Sequence, residues 1–249
     1  MNYMGGKFRQ GKKIAEYVMR VWKPGVDYYE PFCGALGSAY QVVQQMIDVN
    51  TKRPSIFLSD QHDALINMWN AILGGWEPPD VITEEMYCDM NRIRDPINPL
   101  TAYCGYGMSF GSKWFGGYAR NGRGTEYAIN LQRSTHLKAM TMLKAMIILK
   151  TADYESIRPC GSLIYLDPPY KNRTKQRSFK FDHDVFWQYA REMVSNNIVL
   201  VTEFIVPDDF VVLHNFGDTV VRHYSGKPAD GTREVLVCHK SQLYMWELK

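Results

Sequence analysis

DYYEPFCGALGSAYQVVQQMI, residues 27–47, is the stretch that decides the fold. Its first six residues read as a short strand that finishes on an acid, Glu30. A tight turn with Gly34 and Gly37 follows. Beyond it Tyr40, Val43, Met46 and Ile47 share one face of a helix, with Ser38 expected as its cap. The next segment repeats the plan. SIFLSD (55–60) is a buried strand closing on Asp60, and HDALINMWNAIL (62–73) is an amphipathic helix. Upstream, Ile14, Tyr17, Val18, Val21 and Trp22 have helical spacing. Strand, turn, helix, strand, helix predicts right-handed crossovers and an α/β fold with a parallel sheet.

The rhythm breaks at Gly74-Gly75-Trp76-Glu77-Pro78-Pro79, and residues 76–133 turn rich in Gly, Asn, Arg and aromatics. It resumes with STHLKAMTMLKAM (134–146), for which Ser134 is the expected N-cap. Strands are expected at 146–150, 163–167 and 197–204, with a helix near 184–195. TVVRHY (219–224) and EVLVCHK (234–240) read as an antiparallel hairpin that closes the sheet. A chain of 249 residues suits one α/β domain, 1–75 with 134–249, carrying 76–133 as an inserted module.

Bulk properties narrow the field. Hydrophobic content of 45% with 22% charge belongs to a globular protein. The five cysteines are scattered with no CxxC pair, as expected of reduced thiols in a cytoplasmic protein and not of a zinc site. No run approaches the roughly 18 apolar residues that a membrane span requires, and the basic N-terminus lacks the apolar core of a signal peptide.

In an open parallel sheet the ligand sits beyond the carboxyl ends of the strands. Here those ends carry Glu30, Asp60, the Asp153-Tyr154 pair and Asp167. Such acids suit a ligand that offers hydroxyls and positive charge, and they repel a diphosphate. The turn EPFCGALGSA contains neither GxGxxG nor GxxxxGK[ST]. Both observations favour S-adenosyl-L-methionine over NAD or ATP.

The run GSLIYLDPPYKNRTKQRSFK (161–180) ends a strand in Asp167-Pro168-Pro169-Tyr170 and continues into ten residues with five Lys or Arg and no acid. An aromatic amine such as adenine N6 is a poor nucleophile because its lone pair is delocalised. A carboxylate oxygen of Asp167 and the carbonyl of Pro168 can grip its two N–H bonds. The prolines stiffen that carbonyl, and Tyr170 offers a ring for stacking. Lys171, Arg173, Lys175 and Arg177 can neutralise phosphates.

With these residues in view, the chain resembles the Dam-type (D12 class) DNA adenine-N6 methyltransferases of phage and bacteria. NYMGGK (2–7) is similar to the family's K-W-x-G-G-K, and YEPFCGALGS to its E-P-F-x-G-x-G-S. FLSDQHDALINMW and TADYESI match later motifs, and LDPPY is unchanged. The order of motifs is the family's: methyl-donor motifs, then a target-recognition insertion, then DPPY. The resemblance implies a Rossmann-like S-adenosylmethionine-dependent methyltransferase sheet, duplex DNA as partner, and S-adenosyl-L-homocysteine as product. It assigns cofactor contacts to Tyr3 and Lys7, the methionine pocket to Glu30, Phe32 and Gly34, and the ribose to Asp60. Asp153 and Tyr154 take the cofactor's adenine, while Asp167, Pro168, Pro169 and Tyr170 handle an extruded base. Lys113, Arg120, Asn121 and Arg123 become DNA contacts in 76–133, with Trp114, Phe115 or Tyr118 as duplex wedges.

Two other readings are open to the sequence. One is a methyltransferase for a different planar amine or amide, an RNA base or a protein glutamine. The other is a DNA-binding relative without turnover. Asp182-His183-Asp184 reads as a helix start and not as a metal site, and no obligate protein partner is evident.

Overall fold

The computed structural model describes residues 5–49, 53–120, 124–170, 181–217 and 233–247, and gives only the backbone for 124–129. Seven strands form one sheet: β1 (Tyr28–Glu30), β2 (Ser55–Asp60), β3 (Met146–Thr151), β4 (Leu163–Leu166), β5 (Ile198–Glu203), β6 (Phe210–Asn215) and β7 (Val235–His239). Their spatial order is β3-β2-β1-β4-β5-β7-β6. The pairs β1–β2, β2–β3, β1–β4 and β4–β5 are parallel. Strand β7 runs antiparallel to both β5 and β6. This is the Rossmann-like α/β sheet expected from the sequence. Its order reverses between β1 and β4, which places a crevice outside the ends of those two strands.

The helices follow the apolar spacing. Helix α1 (Phe8–Val21) buries Ile14, Ala15, Tyr17 and Val18 against α2 (Gly37–Val49), which buries Ala39, Tyr40, Val42, Val43 and Met46. Helix α3 (Asp63–Leu73) starts at His62, whose ring accepts from the Leu65 amide, and buries Leu65, Ile66, Met68 and Trp69. Within the insertion lie α4 (Glu84–Ile93), capped by Thr83, the single turn α5 (Pro99–Ala102) and a π-helical turn at Tyr103–Gly107. Helices α6 (Gly124–Met142) and α7 (His183–Val194) and the single turn α8 (Tyr244–Glu247) complete the chain. Asp182 caps α7 by accepting from the amides of Asp184 and Val185, the role read from its sequence.

Three local expectations need correction. Ser38 does not cap α2; it lies inside the helix, and its hydroxyl donates to Glu30 instead. Ser134 does not start a helix either. Helix α6 begins ten residues earlier and runs across position 133, so Ser134 donates to the Leu131 carbonyl at 2.9 Å from mid-helix. The antiparallel neighbours of β7 are β5 and Phe210–Asn215, so both its edges are taken, and the expected strand 219–224 lies outside the described residues. Two charges, Asp208 and Asp209, precede an otherwise apolar FVVL, and they hid that strand among turn residues.

The insertion does not stand apart from the sheet domain. Tyr87, Tyr103, Cys104 and Tyr106 belong to the same continuous apolar core as Leu65, Trp69 and the inner faces of β1 and β2.

Candidate functional site

Gly37 explains how the N-terminal segment reaches the crevice. A Cβ added there would stand 2.9 Å from the Phe8 amide nitrogen and 3.1 Å from that of Lys7. Only glycine lets the start of α1 lie against the turn after β1. That turn holds Gly34 at φ 46° and Leu36 at φ 56°. Leu36, the residue that makes GALGS one longer than the family's G-x-G-S, therefore occupies the left-handed region at a cost of about 1–2 kcal/mol. Its full burial helps to hold it there.

Lys7 enters the crevice from this position and is 4% exposed. Its Nζ lies 2.8 Å from Asp167 Oδ1 and 3.1 Å from Glu234 Oε1. It also donates to the Tyr170 hydroxyl. Burial acts to lower the Lys7 pKa, but Asp167 and Glu234 outweigh it and hold the ammonium charged. The Tyr170 hydroxyl is within 2.9 Å of both Asp167 Oδ1 and Glu234 Oε1. Burial, then those two acids, push the phenol well above its ordinary pKa, so it stays protonated as a donor. Thr202 adds a third bond, its hydroxyl donating to Asp167 Oδ1 at 2.9 Å. These contacts of Asp167 all converge on Oδ1. The Tyr170 ring meets Phe204 edge to face, with centroids 4.7 Å apart.

Other carboxylates surround this cluster. Glu30 is 1% exposed and accepts from Ser38 and from the Tyr28 hydroxyl at 2.8 Å. Burial raises its pKa to about 8. Glu203, at the end of β5, is also 1% exposed, and burial raises it to about 7. Its Oε1 accepts from the Phe204 amide, and Oε2 lacks a hydrogen-bond partner among the described residues. Strand ends β1, β4 and β5 and the residue before β7 thus turn four acids towards one region, with the Lys7 ammonium among them.

The remaining expected residues also gather at the strand ends. Asp60 accepts from the Gly34 amide at 3.1 Å and from the His62 amide at 2.9 Å. The glycine turn therefore points an N–H at a protein carboxylate, which agrees with its lack of a phosphate-binding motif. Among the described residues these two amides are the only hydrogen-bond donors to the Asp60 carboxylate, which leaves two of its four lone-pair positions. Gln61 donates to Asp153, which also accepts from the Glu155 amide at 2.9 Å. Tyr154 is 4% exposed, and its ring lies 5.1 Å from that of Phe32 and 5.7 Å from that of Phe181. Burial, then Glu155 and Asp153, push its phenol well up. Pro168 is buried and Pro169 half-buried directly after β4.

No protein-family model and no curated protein matches the chain. Two solved structures of the rRNA methyltransferase AviRa from Streptomyces viridochromogenes are similar in chain path, each with a TM-score of 0.42. They are 13% and 12% identical, and the match covers 93% and 95% of this chain and 84% and 86% of theirs. A possible methylase from Clostridium difficile is similar at a TM-score of 0.42 and 10% identity, over 92% of this chain and 52% of that one. These likenesses are too loose to bear on activity.

The aromatics expected as wedges are half-buried and packed against other rings. The Trp114 ring lies 4.4 Å from that of His62, 4.8 Å from that of Tyr106 and 4.7 Å from that of Phe115. Tyr118 packs on Tyr87 and donates its hydroxyl to the Ile82 carbonyl at 2.6 Å. Lys113 and Arg120 are exposed, and Arg120 pairs with Glu84, its Nε 3.0 Å from Oε2. Tyr3, Asn121, Arg123, Lys171, Arg173, Lys175 and Arg177 lie outside the described residues.

Sequence reasoning missed Glu203 and Glu234 as members of this cluster. The signal available was an acid at each end of an apolar strand: VTE at 201–203, and Glu234 before VLVCH.

Proposed function

We propose that the chain is an S-adenosylmethionine-dependent methyltransferase that modifies N6 of an adenine turned out of duplex DNA. The observation that carries this reading is the Asp167 carboxylate, held on one oxygen by Lys7, Tyr170 and Thr202 at the end of β4. With Oδ1 so engaged, Oδ2 and the Pro168 carbonyl serve in this reading as the two acceptors for the two N–H bonds of an aromatic amine. Gripping both bonds draws the nitrogen towards a pyramidal geometry and frees its lone pair for attack. The nitrogen lone pair forms the N–C bond as the donor's S–CH3 bond breaks, releasing S-adenosyl-L-homocysteine, and the alkylated nitrogen then loses one of its two protons through the Asp167 carboxylate to solvent. Asp167 and Glu234 favour positive charge in the crevice, both on the donor and on the nitrogen as it is alkylated, while Glu203 and Glu30, raised by burial to about 7 and about 8, add negative charge only as they ionise.

The other residues take supporting roles in this reading. The two free lone-pair positions of Asp60 suit the donor's ribose hydroxyls. Asp153 and Tyr154 border its adenine, and Glu30, Phe32 and Gly34 its methionine end. Tyr170, oriented by its hydroxyl, stacks on the extruded base. Exposed Lys113 and Arg120 and the basic run 171–180 meet phosphates. The cysteines of the described chain are all free thiols, in keeping with work in the cytoplasm.

The test offers the purified protein labelled methyl donor with either duplex DNA or total RNA, and digests each to nucleosides. Label in N6-methyladenosine of the deoxy series supports the proposal. Label confined to RNA nucleosides, or in neither, refutes it.

A further inference from the structure

Lys138 carries a buried charge that neither the core nor the cluster at Asp167 accounts for. It lies on α6, 3% exposed, with its Nζ donating to the Ala35 carbonyl at 2.7 Å. Ala35 belongs to the turn between β1 and α2. The ammonium stands 5.6 Å from the Phe8 ring centroid and 5.8 Å from that of Trp69. No carboxylate among the described residues forms an ion pair with it. Burial lowers its pKa to about 8, with no acid acting in the other direction. Lys7 shows the contrast, since its two carboxylates reverse the effect of burial.

A buried ammonium without a counter-charge is costly to a fold. This one is kept at the glycine turn, where α2 begins at Gly37 and runs 13 residues. The positive end of that helix faces the same turn. Two sources of positive potential therefore meet at the end of β1, in a crevice whose other strand ends are acidic. A ligand suited to both regions carries cationic groups and one anionic group.

We infer that Lys138 forms the subsite for the carboxylate at the amino-acid end of the methyl donor. The inference rests on the methyl-donor reading above. The acids at the strand ends favour the donor's sulfonium and ammonium groups and repel its carboxylate. Lys138 supplies the opposite charge in the turn that borders the methionine end. One of its three N–H bonds is held by the Ala35 carbonyl, which aims the side chain, and its other neighbours are the fully buried Trp69 ring and the Phe8 ring, which is 53% exposed and lies on the open side.

Calorimetric titration of the full chain with two ligands tests this. One is S-adenosyl-L-homocysteine; the other is 5′-deoxy-5′-(3-aminopropylthio)adenosine, the same molecule without its carboxylate. The wild type is expected to bind the second ligand about 10- to 100-fold more weakly, the range for a hydrogen bond to a charged group. Lys138→Met should weaken the first ligand by a similar factor and leave the second within about twofold, so that discrimination disappears. Lys138→Arg should preserve it. Equal binding of both ligands by the wild type overturns the inference without any variant having to fold. Equal weakening of both ligands by Lys138→Met also overturns it, leaving Lys138 as a brace for the turn. A wild type that binds neither ligand fails the methyl-donor reading itself, and the inference with it.

Discussion

Replacing Lys7 with methionine strands two carboxylates. Lys7 is 4% exposed, Glu234 5% and Asp167 13%, with ion-pair distances of 2.8 and 3.1 Å. Methionine keeps the unbranched shape and removes the charge. Deleting one partner of a buried ion pair costs about 3–5 kcal/mol, because the partners left behind are neither solvated nor paired. For a chain of this size about 2–4 °C of melting temperature accompanies each kcal/mol, so Lys7→Met should melt about 6–20 °C below the wild type. Thermal and urea unfolding followed by far-ultraviolet circular dichroism measure the loss. A second substitution, Glu234→Gln, removes one of the two stranded charges and should recover about half of it. The pH dependence has a definite sign. The Lys7 pKa is raised from its ordinary 10.5, so the stability it contributes is complete below that value and is lost only above it. The gap between wild type and variant should therefore be the same at pH 7 and pH 9. A Lys7→Met protein that melts within about 2 °C of the wild type refutes the buried ion cluster.

Glu30 acts with the opposite sign. Its pKa is raised from 4.5 to about 8 by burial, so the penalty for ionising it is absent below 4.5, grows with pH and is complete above about 8. Glu30→Gln should be more stable than the wild type by on the order of 5 kcal/mol at pH 9 and nearly equal to it at pH 4.5; a urea-unfolding difference that does not change with pH contradicts this. In the insertion, Lys113→Ala with Arg120→Ala should weaken duplex binding and lower the slope of log affinity against log salt by about 2. A slope unchanged in filter-binding titrations removes both residues from the phosphate contacts.

Much of the fold was legible because its strands and helices are encoded locally. YYE, SIFLSD, LIYLD and NIVLVTE announce strands by continuous apolar runs closing on acids, and the spacing of Val43, Met46 and Ile47 announces α2. What escaped was set by distant contacts. Lys7 finds its partners 160 and 227 residues away (167 − 7 and 234 − 7), and no local pattern reports such a pairing. The packing of Trp114, Phe115 and Tyr118 on His62, Tyr87 and Tyr106 was likewise hidden, because these aromatics sit in a glycine-rich, polar segment. Lys138 did leave a trace. It shares a helical stripe with Leu131, Thr135 and Met142, all of them buried, and a lysine on a buried stripe is a signal of function or of pairing.

The central claim is that Asp167 activates an adenine amine. Expression of the wild type and of Asp167→Ala in a host without DNA methylation, followed by digestion of genomic DNA to nucleosides and mass spectrometry, tests it most directly. The account predicts N6-methyladenine in DNA from cells with the wild type and its loss, by at least about 100-fold, with Asp167→Ala. Equal levels in the two, or no N6-methyladenine with a folded wild type, would contradict it.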